Sequence, residues 1–181
     1  MRSILKTKRT LFVCVDVQEK IIEHMAYKDK VIKNTNILLE SATQLGIPTL
    51  VTEQYPKGLG KTHSTITIPK NARVLEKTSF GIFGDEKIAS FIAQSKAKTL
   101  IFFGIETHIC VLQSIIEARN LGYECLLAAD ACSSRDEQSH QLALNFFNTQ
   151  GVVMLPTESI LFRILGDCKH SSFKAISALI K

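Results

Sequence analysis

Apolar positions along this chain recur with two alternating periods. Short continuous apolar runs, sized for strands, are separated by longer stretches in which apolar residues return every three or four positions, as on a helix with one buried face. Leu11–Val17, rich in valine and too short for a helix, predicts a first strand. From Lys28 to Leu45 the residues Val31, Ile32, Thr35, Leu38, Leu39, Ala42 and Leu45 form one stripe and predict a helix. Gly46 stands just past its end, where a left-handed C-terminal cap belongs, and Pro48 follows. Further strands are predicted at Pro48–Thr52, Val74–Leu75, Leu100–Gly104, Glu124–Ala129 and Val152–Leu155. Helices are predicted at Asp85–Ser95, with Asp85 as N-cap, and at His108–Leu121. Ser134-Arg135-Asp136-Glu137 has the form of a capping box and opens a helix to about Asn148; helical segments then run to Lys181. The stretch from Glu53 to Arg73 is polar, broken by Pro56, Gly58, Gly60 and Pro69, and reads as a long functional loop.

Strands apolar on both faces, alternating with amphipathic helices, predict an α/β fold with a parallel sheet covered on both sides. In such sheets ligands bind beyond the carboxyl ends of the strands. Polar residues that directly follow an apolar run therefore become the candidates for chemistry.

The length of 181 residues fits one domain, taken as 1–181, and a hydrophobic fraction of 45% with 22% charged residues excludes disorder as the main state. No apolar run approaches the roughly 20 residues of a membrane-spanning helix. The formal net charge is +5, but Arg2, Lys6, Lys8 and Arg9 all fall in a basic arm, residues 1–10, so the remaining chain is nearly neutral. That balance gives no basic face for nucleic acid; the arm reads as a solvated terminus, with RNA contact the weaker reading. The arm has no apolar core of a secretory signal. Five cysteines, none in a Cys-x-x-Cys pair, fit neither a disulfide scaffold nor a zinc finger, and point to a reducing compartment, the cytoplasm.

Asp16 stands at the end of the first strand, between Val15 and Val17, and reads either as a buried functional carboxylate or as a helix cap. Lys77 follows the third strand, and Cys110 lies in the first turn of the helix after the most apolar strand. A helix N-terminus lowers a thiol pKa, so Cys110 is expected to be the activated cysteine. Cys14 and Cys125 fall in strands and are expected to be inert; Cys132 falls in a loop. A thiol, a carboxylate to take its proton and a cation to favour the anion form a coherent nucleophilic set. His108 precedes Cys110 by two positions, so the two do not share a helix face.

These segments resemble the isochorismatase-like cysteine hydrolases over essentially the whole chain. The resemblance rests on Val13-Cys-Val-Asp-Val-Gln18, the Lys77 segment and Gly104-Ile-Glu-Thr-His-Ile-Cys-Val111. Thr52-Glu-Gln-Tyr-Pro-Lys-Gly-Leu-Gly60, Asp130-Ala-Cys-Ser-Ser-Arg135 and Leu165-Gly-Asp167 with Phe173-Lys174 are similar to the small isochorismatase domain-containing subgroup. The resemblance implies a three-layer α/β/α fold with a six-stranded parallel sheet and an Asp16, Lys77, Cys110 triad. It also implies a cis peptide between Ile105 and Glu106, and an oxyanion hole from the N–H groups of Glu106 and Cys110. Gln18, Gln54, Tyr55, Phe80 and Thr107 border these motifs and are candidates to contact a small-molecule substrate. The related nicotinamidases carry a metal-binding Asp-x-His pair after the second strand; here that stretch is Glu53-Gln54-Tyr55, so neither a metal nor another cofactor is expected. The implied activity is a metal-independent hydrolase of a small amide or related C–N bond through a thioester. The competing readings are a non-catalytic oligomeric binding protein and, more weakly, an RNA-associated protein. Relatives of this kind imply a homo-oligomer.

Overall fold

The computed structural model of the chain describes residues 5–181. Arg2, part of the basic arm, lies outside the described residues. The later arm is tied to the fold: Leu5 is buried, Thr7–Arg9 form a 3₁₀ turn and Thr10 Oγ1 donates to Lys6 O at 3.0 Å.

Six parallel strands form one sheet in the order β3-β2-β1-β4-β5-β6. They are β1 (Thr10–Val15), β2 (Thr49–Gln54), β3 (Arg73–Lys77), β4 (Thr99–Ile105), β5 (Glu124–Ser133) and β6 (Val153–Leu155). Every residue of β1 and β4 is buried, as continuous apolar runs demand at the centre of a doubly covered sheet. The first helices are α1 (Glu19–Ile22), α2 (Lys28–Leu45) and α3 (Pro56–Leu59). Then come α4 (Glu86–Gln94), α5 (Leu112–Asn120), α6 (Glu137–Thr149), α7 (Thr157–Leu165) and α8 (Phe173–Ile180). Helix α2 packs with α7 and α8 over β1, β4 and β5. The later crossovers run across the sheet in the opposite direction, so right-handedness puts α4, α5 and α6 on the other face. This is the expected three-layer arrangement.

Helix α2 spans the predicted range and ends at Gly46 in the left-handed region, φ +62°. Asp85 caps α4 by accepting from the N–H groups of Lys87 and Ile88. Three other expectations are corrected. Strand β5 runs on to Ser133, because an irregularity in the β4–β5 ladder moves the register from Phe102↔Leu127 to Gly104↔Cys132. Cys132 therefore sits buried in a strand, not in a loop. The cap of α6 is Asp136, which accepts from Ser139 N–H; Ser134 is buried and its hydroxyl meets His108 Nδ1 at 2.9 Å. The long stretch after β2 is irregular apart from α3 and is pinned to the sheet, since Glu53 Oε1 accepts from both N–H and Oγ1 of Thr62, at 2.7 and 2.8 Å.

In this strand order the chain changes direction between β1 and β4, which leaves a crevice at their carboxyl ends. The two strands approach so closely there that a Cβ on Gly104 would fall 2.1 Å from Val15 O. Gly104 also has φ +130°, which only glycine adopts without strain.

Candidate active site

Asp16 directly follows β1 at the switch point, with its backbone in the left-handed region at φ +55°. For a residue with a Cβ this costs about 1–3 kcal/mol and persists only where the surroundings enforce it. The enforcing bonds are Asp16 N–H to Thr52 O at 3.2 Å and Gln18 N–H to Asp16 O at 2.7 Å. They turn the carboxylate inward, where Thr52 Oγ1 donates to Oδ1 at 2.7 Å. Thr52 is a polar residue at the end of an apolar strand, a signal the sequence offered and which was not among the candidates.

Lys77 ends β3 and is buried to 2% exposure. Its Nζ lies 2.7 Å from Asp16 Oδ2, off the line of a hydrogen bond, and donates to Gln54 Oε1 at 2.7 Å, Phe80 O at 3.0 Å and Ser79 O at 3.1 Å. The cation is thus almost fully solvated by protein oxygen, which is what makes its burial tolerable.

Cys110 follows β4 in a π-helical turn, Thr107–Val111, that leads into α5. The Asp16 carboxylate and the Lys77 ammonium both bear electrostatically on its thiol. Burial first, then the Asp16 charge, push its pKa up to about 12, against the smaller lowering by Lys77. The lowered thiol pKa expected at Cys110 is therefore corrected. Dehydration and a neighbouring anion outweigh the ammonium, and the thiol is protonated at neutral pH. Burial likewise raises Cys14, Cys132 and Cys125, the last to about 12.

The expected cis bond is also corrected: the described residues contain no cis peptide. Glu106 instead turns the chain with φ +55°. Its N–H has no acceptor among the described residues. Its side chain is buried, with Oε1 2.7 Å from Arg135 Nε and Oε2 3.4 Å from His108 Nδ1.

The bordering residues separate into two groups. Tyr55 and Phe80 are 55% and 54% exposed. Gln18 is fully buried and occupied: its amide donates to Gln54 O and Gly60 O and accepts from Gln54 N–H. Gln54 divides its amide between Lys77 and Thr78 O, so it belongs to the lysine cage. Thr107 is fully buried, donates to Ser133 O at 3.0 Å and lies 2.9 Å from His140 Nδ1. His140 is itself buried, and desolvation lowers its pKa. Because Thr107 spends its proton on a carbonyl, the imidazole donates from Nδ1.

No group of three or more His, Cys, Asp or Glu side chains among the described residues is placed to hold a metal ion. No described helix is long and apolar enough to cross a membrane.

The isochorismatase domain matches residues 10–159. Isochorismatase domain-containing protein 1 of Salmo salar is 35% identical over 172 residues, covering 95% of this chain and 61% of its own length. The chain thus spans about three fifths of that relative. Isochorismatase family protein 1B of Dictyostelium discoideum is 32% identical, covering 98% of this chain and 88% of its own. The solved structure of MAR1 ribonuclease from Caenorhabditis elegans superposes with a TM-score of 0.92 at 30% identity, covering 98% of this chain and 92% of that one. On these matches the chain belongs to the isochorismatase domain family.

Proposed function

We propose that the chain is a metal-independent cysteine hydrolase of a small amide or related C–N bond, with Asp16, Lys77 and Cys110 as its triad. Membership of the isochorismatase family supports hydrolysis as the reaction class. The observation that carries the finer reading is the buried Lys77–Asp16 pair, 2.7 Å apart, whose two charges both bear on the Cys110 thiol. A protonated thiol needs a base to take its proton as sulfur attacks, and Asp16 is the carboxylate that bears on it.

Asp16 takes the thiol proton as sulfur bonds to the substrate carbonyl carbon. Lys77 offsets the negative charge shared by carboxylate and sulfur. The N–H groups of Glu106 and Cys110 hold the developing oxyanion; in other enzymes one such donor is worth about 3–4 kcal/mol. The C–N bond breaks, the amine leaves with the proton from Asp16, and a thioester remains. Water attacks it with Asp16 as base, releasing the acid and restoring the thiol. Tyr55 and Phe80, whose exposure supports this role, meet the substrate's remainder.

The ribonuclease name of the nematode neighbour makes RNA cleavage the competing reading. It lacks support from charge, since the basic excess is concentrated in residues 1–10. Association into a homo-oligomer belongs to the same proposal, supported by Leu121 and Leu142, each 61% exposed. Light scattering on purified protein tests it; a monomer mass at micromolar concentration removes it.

The function is tested with a panel of small amides and a single-stranded RNA, each with the wild type and Cys110→Ala. Amide turnover lost in the variant, with a trapped acyl adduct on Cys110 by intact mass, is the expected result. RNA cleavage that survives the substitution, with no amide turned over, overturns the reading.

A further inference from the structure

Ser114 lies one turn beyond Cys110 and is fully buried. Its hydroxyl donates to Cys110 O at 2.6 Å and accepts from Ile82 N–H at 3.2 Å. One turn further along α5, Glu117 Oε2 accepts from Phe83 N–H at 3.0 Å. The helix that begins at the nucleophile therefore grips residues 82 and 83 at two successive points. Gly81 is pressed so close that a Cβ there would fall 2.2 Å from the Glu117 carboxylate. The segment gripped in this way also supplies Ser79 O and Phe80 O, two of the four oxygens around Lys77 Nζ. Hydrogen bonds, joined by short runs of backbone, thus lead from Cys110 O through Ser114 and residues 80–82 to Lys77, whose ion pair reaches Asp16.

We propose that Ser114, supported by Glu117, is a positioning residue that holds the Lys77 ammonium in register with the Cys110 thiol. An ammonium has three protons, and here four oxygens compete for them. Which of them it serves depends on where the carbonyls of Ser79 and Phe80 stand, and α5 sets that. Neither residue touches the reacting atoms.

The proposal rests on the triad reading above, so its test does not require a substrate. Peptide-resolved alkylation by iodoacetamide at pH 8 is followed for Cys110, with the exposed Cys168 of the same molecules as internal control. Ser114→Ala is expected to slow Cys110 about fivefold, because a displaced ammonium no longer favours the thiolate, while Cys168 is unchanged. Simple loosening of the fold has the opposite sign, since it exposes the buried thiol and speeds its alkylation. Glu117→Ala at a half-buried site should slow Cys110 in the same direction. Glu117→Gln, which keeps the acceptor for Phe83 N–H, should retain the wild-type rate. If Ser114→Ala does not fold, the Glu117 pair decides. Unchanged or faster Cys110 alkylation in the folded alanine variants overturns the proposal. Slowed alkylation with no amide turned over would sustain the positioning role and remove the hydrolase reading instead.

Discussion

Lys77 Nζ and Asp16 Oδ2 stand 2.7 Å apart, with side-chain exposures of 0% and 4%. Such a pair is expensive to take out of water and more expensive to break, because the survivor is left charged and unpaired. Replacement of Lys77 by Met is therefore expected to cost about 3–5 kcal/mol of stability as well as activity. Asp16→Asn combined with Lys77→Met should recover a substantial share of that stability and none of the activity. A urea double-mutant cycle measures the coupling; additive losses would mean that the pair is not a structural unit.

The same switch point sets a second expectation. Gly104→Ala would put a Cβ 2.1 Å from Val15 O, at φ +130°. Neither clash nor strain is relieved by a side-chain rotation, since both partners are backbone. A loss of about 3–5 kcal/mol is expected, roughly 10 °C in thermal midpoint for a chain of this size. Calorimetry on the variant measures it, and a shift below 3 °C would mean that β1 and β4 separate easily there.

Much of this was readable in the residues, for reasons that differ from element to element. Helix α2 was found end to end because seven stripe positions and a glycine cap agree. Asp16, Lys77 and Cys110 stood out as polar residues just past apolar runs, and the sheet brings their elements to one edge. What pattern could not give was environment. The position of Lys77 marked it as a candidate, but its cage is assembled from Gln54, Ser79 and Phe80, which meet only after folding. The sign of the Cys110 shift depends on how dry the thiol is and how near Asp16 stands, neither of which spacing encodes. Strand β5 looked complete at Ala129 because Asp130 is polar; in the fold its Oδ1 accepts from both N–H and Oγ1 of Thr157.

Cysteine labelling should follow exposure before nucleophilicity. Cys168 is the exposed thiol among the five, and the other four are buried with raised pKa values. Limited iodoacetamide at pH 6.5 is expected to modify Cys168 first and Cys110 slowly. Bound substrate or a substrate-like amide should shield Cys110 while leaving Cys168 unaffected. Peptide mass spectrometry reads both sites, and rapid labelling of Cys110 at that pH would show that the triad already holds a thiolate.

Those raised thiols also determine how stability responds to alkali. A buried thiol whose folded pKa lies above its unfolded value of about 9 is protonated in the native state where the unfolded chain has begun to ionise. Between those two values the native state binds more protons, so stability falls as pH rises. The contribution is fully present below pH 9 and is lost towards about 12 for Cys110 and Cys125. Cys14 and Cys132 act in the same direction. Each thiol that ionises only on unfolding adds up to about 1.4 kcal/mol per pH unit to the slope. Urea midpoints should hence be nearly flat from pH 7 to 8.5 and fall steeply above pH 9. Cys125→Ala, a strand position away from Asp16, should lower stability at pH 7 through lost packing and make the alkaline slope shallower by about one such increment. A variant slope equal to that of the wild type would mean that Cys125 ionises alike in both states, and that water reaches it in the native fold.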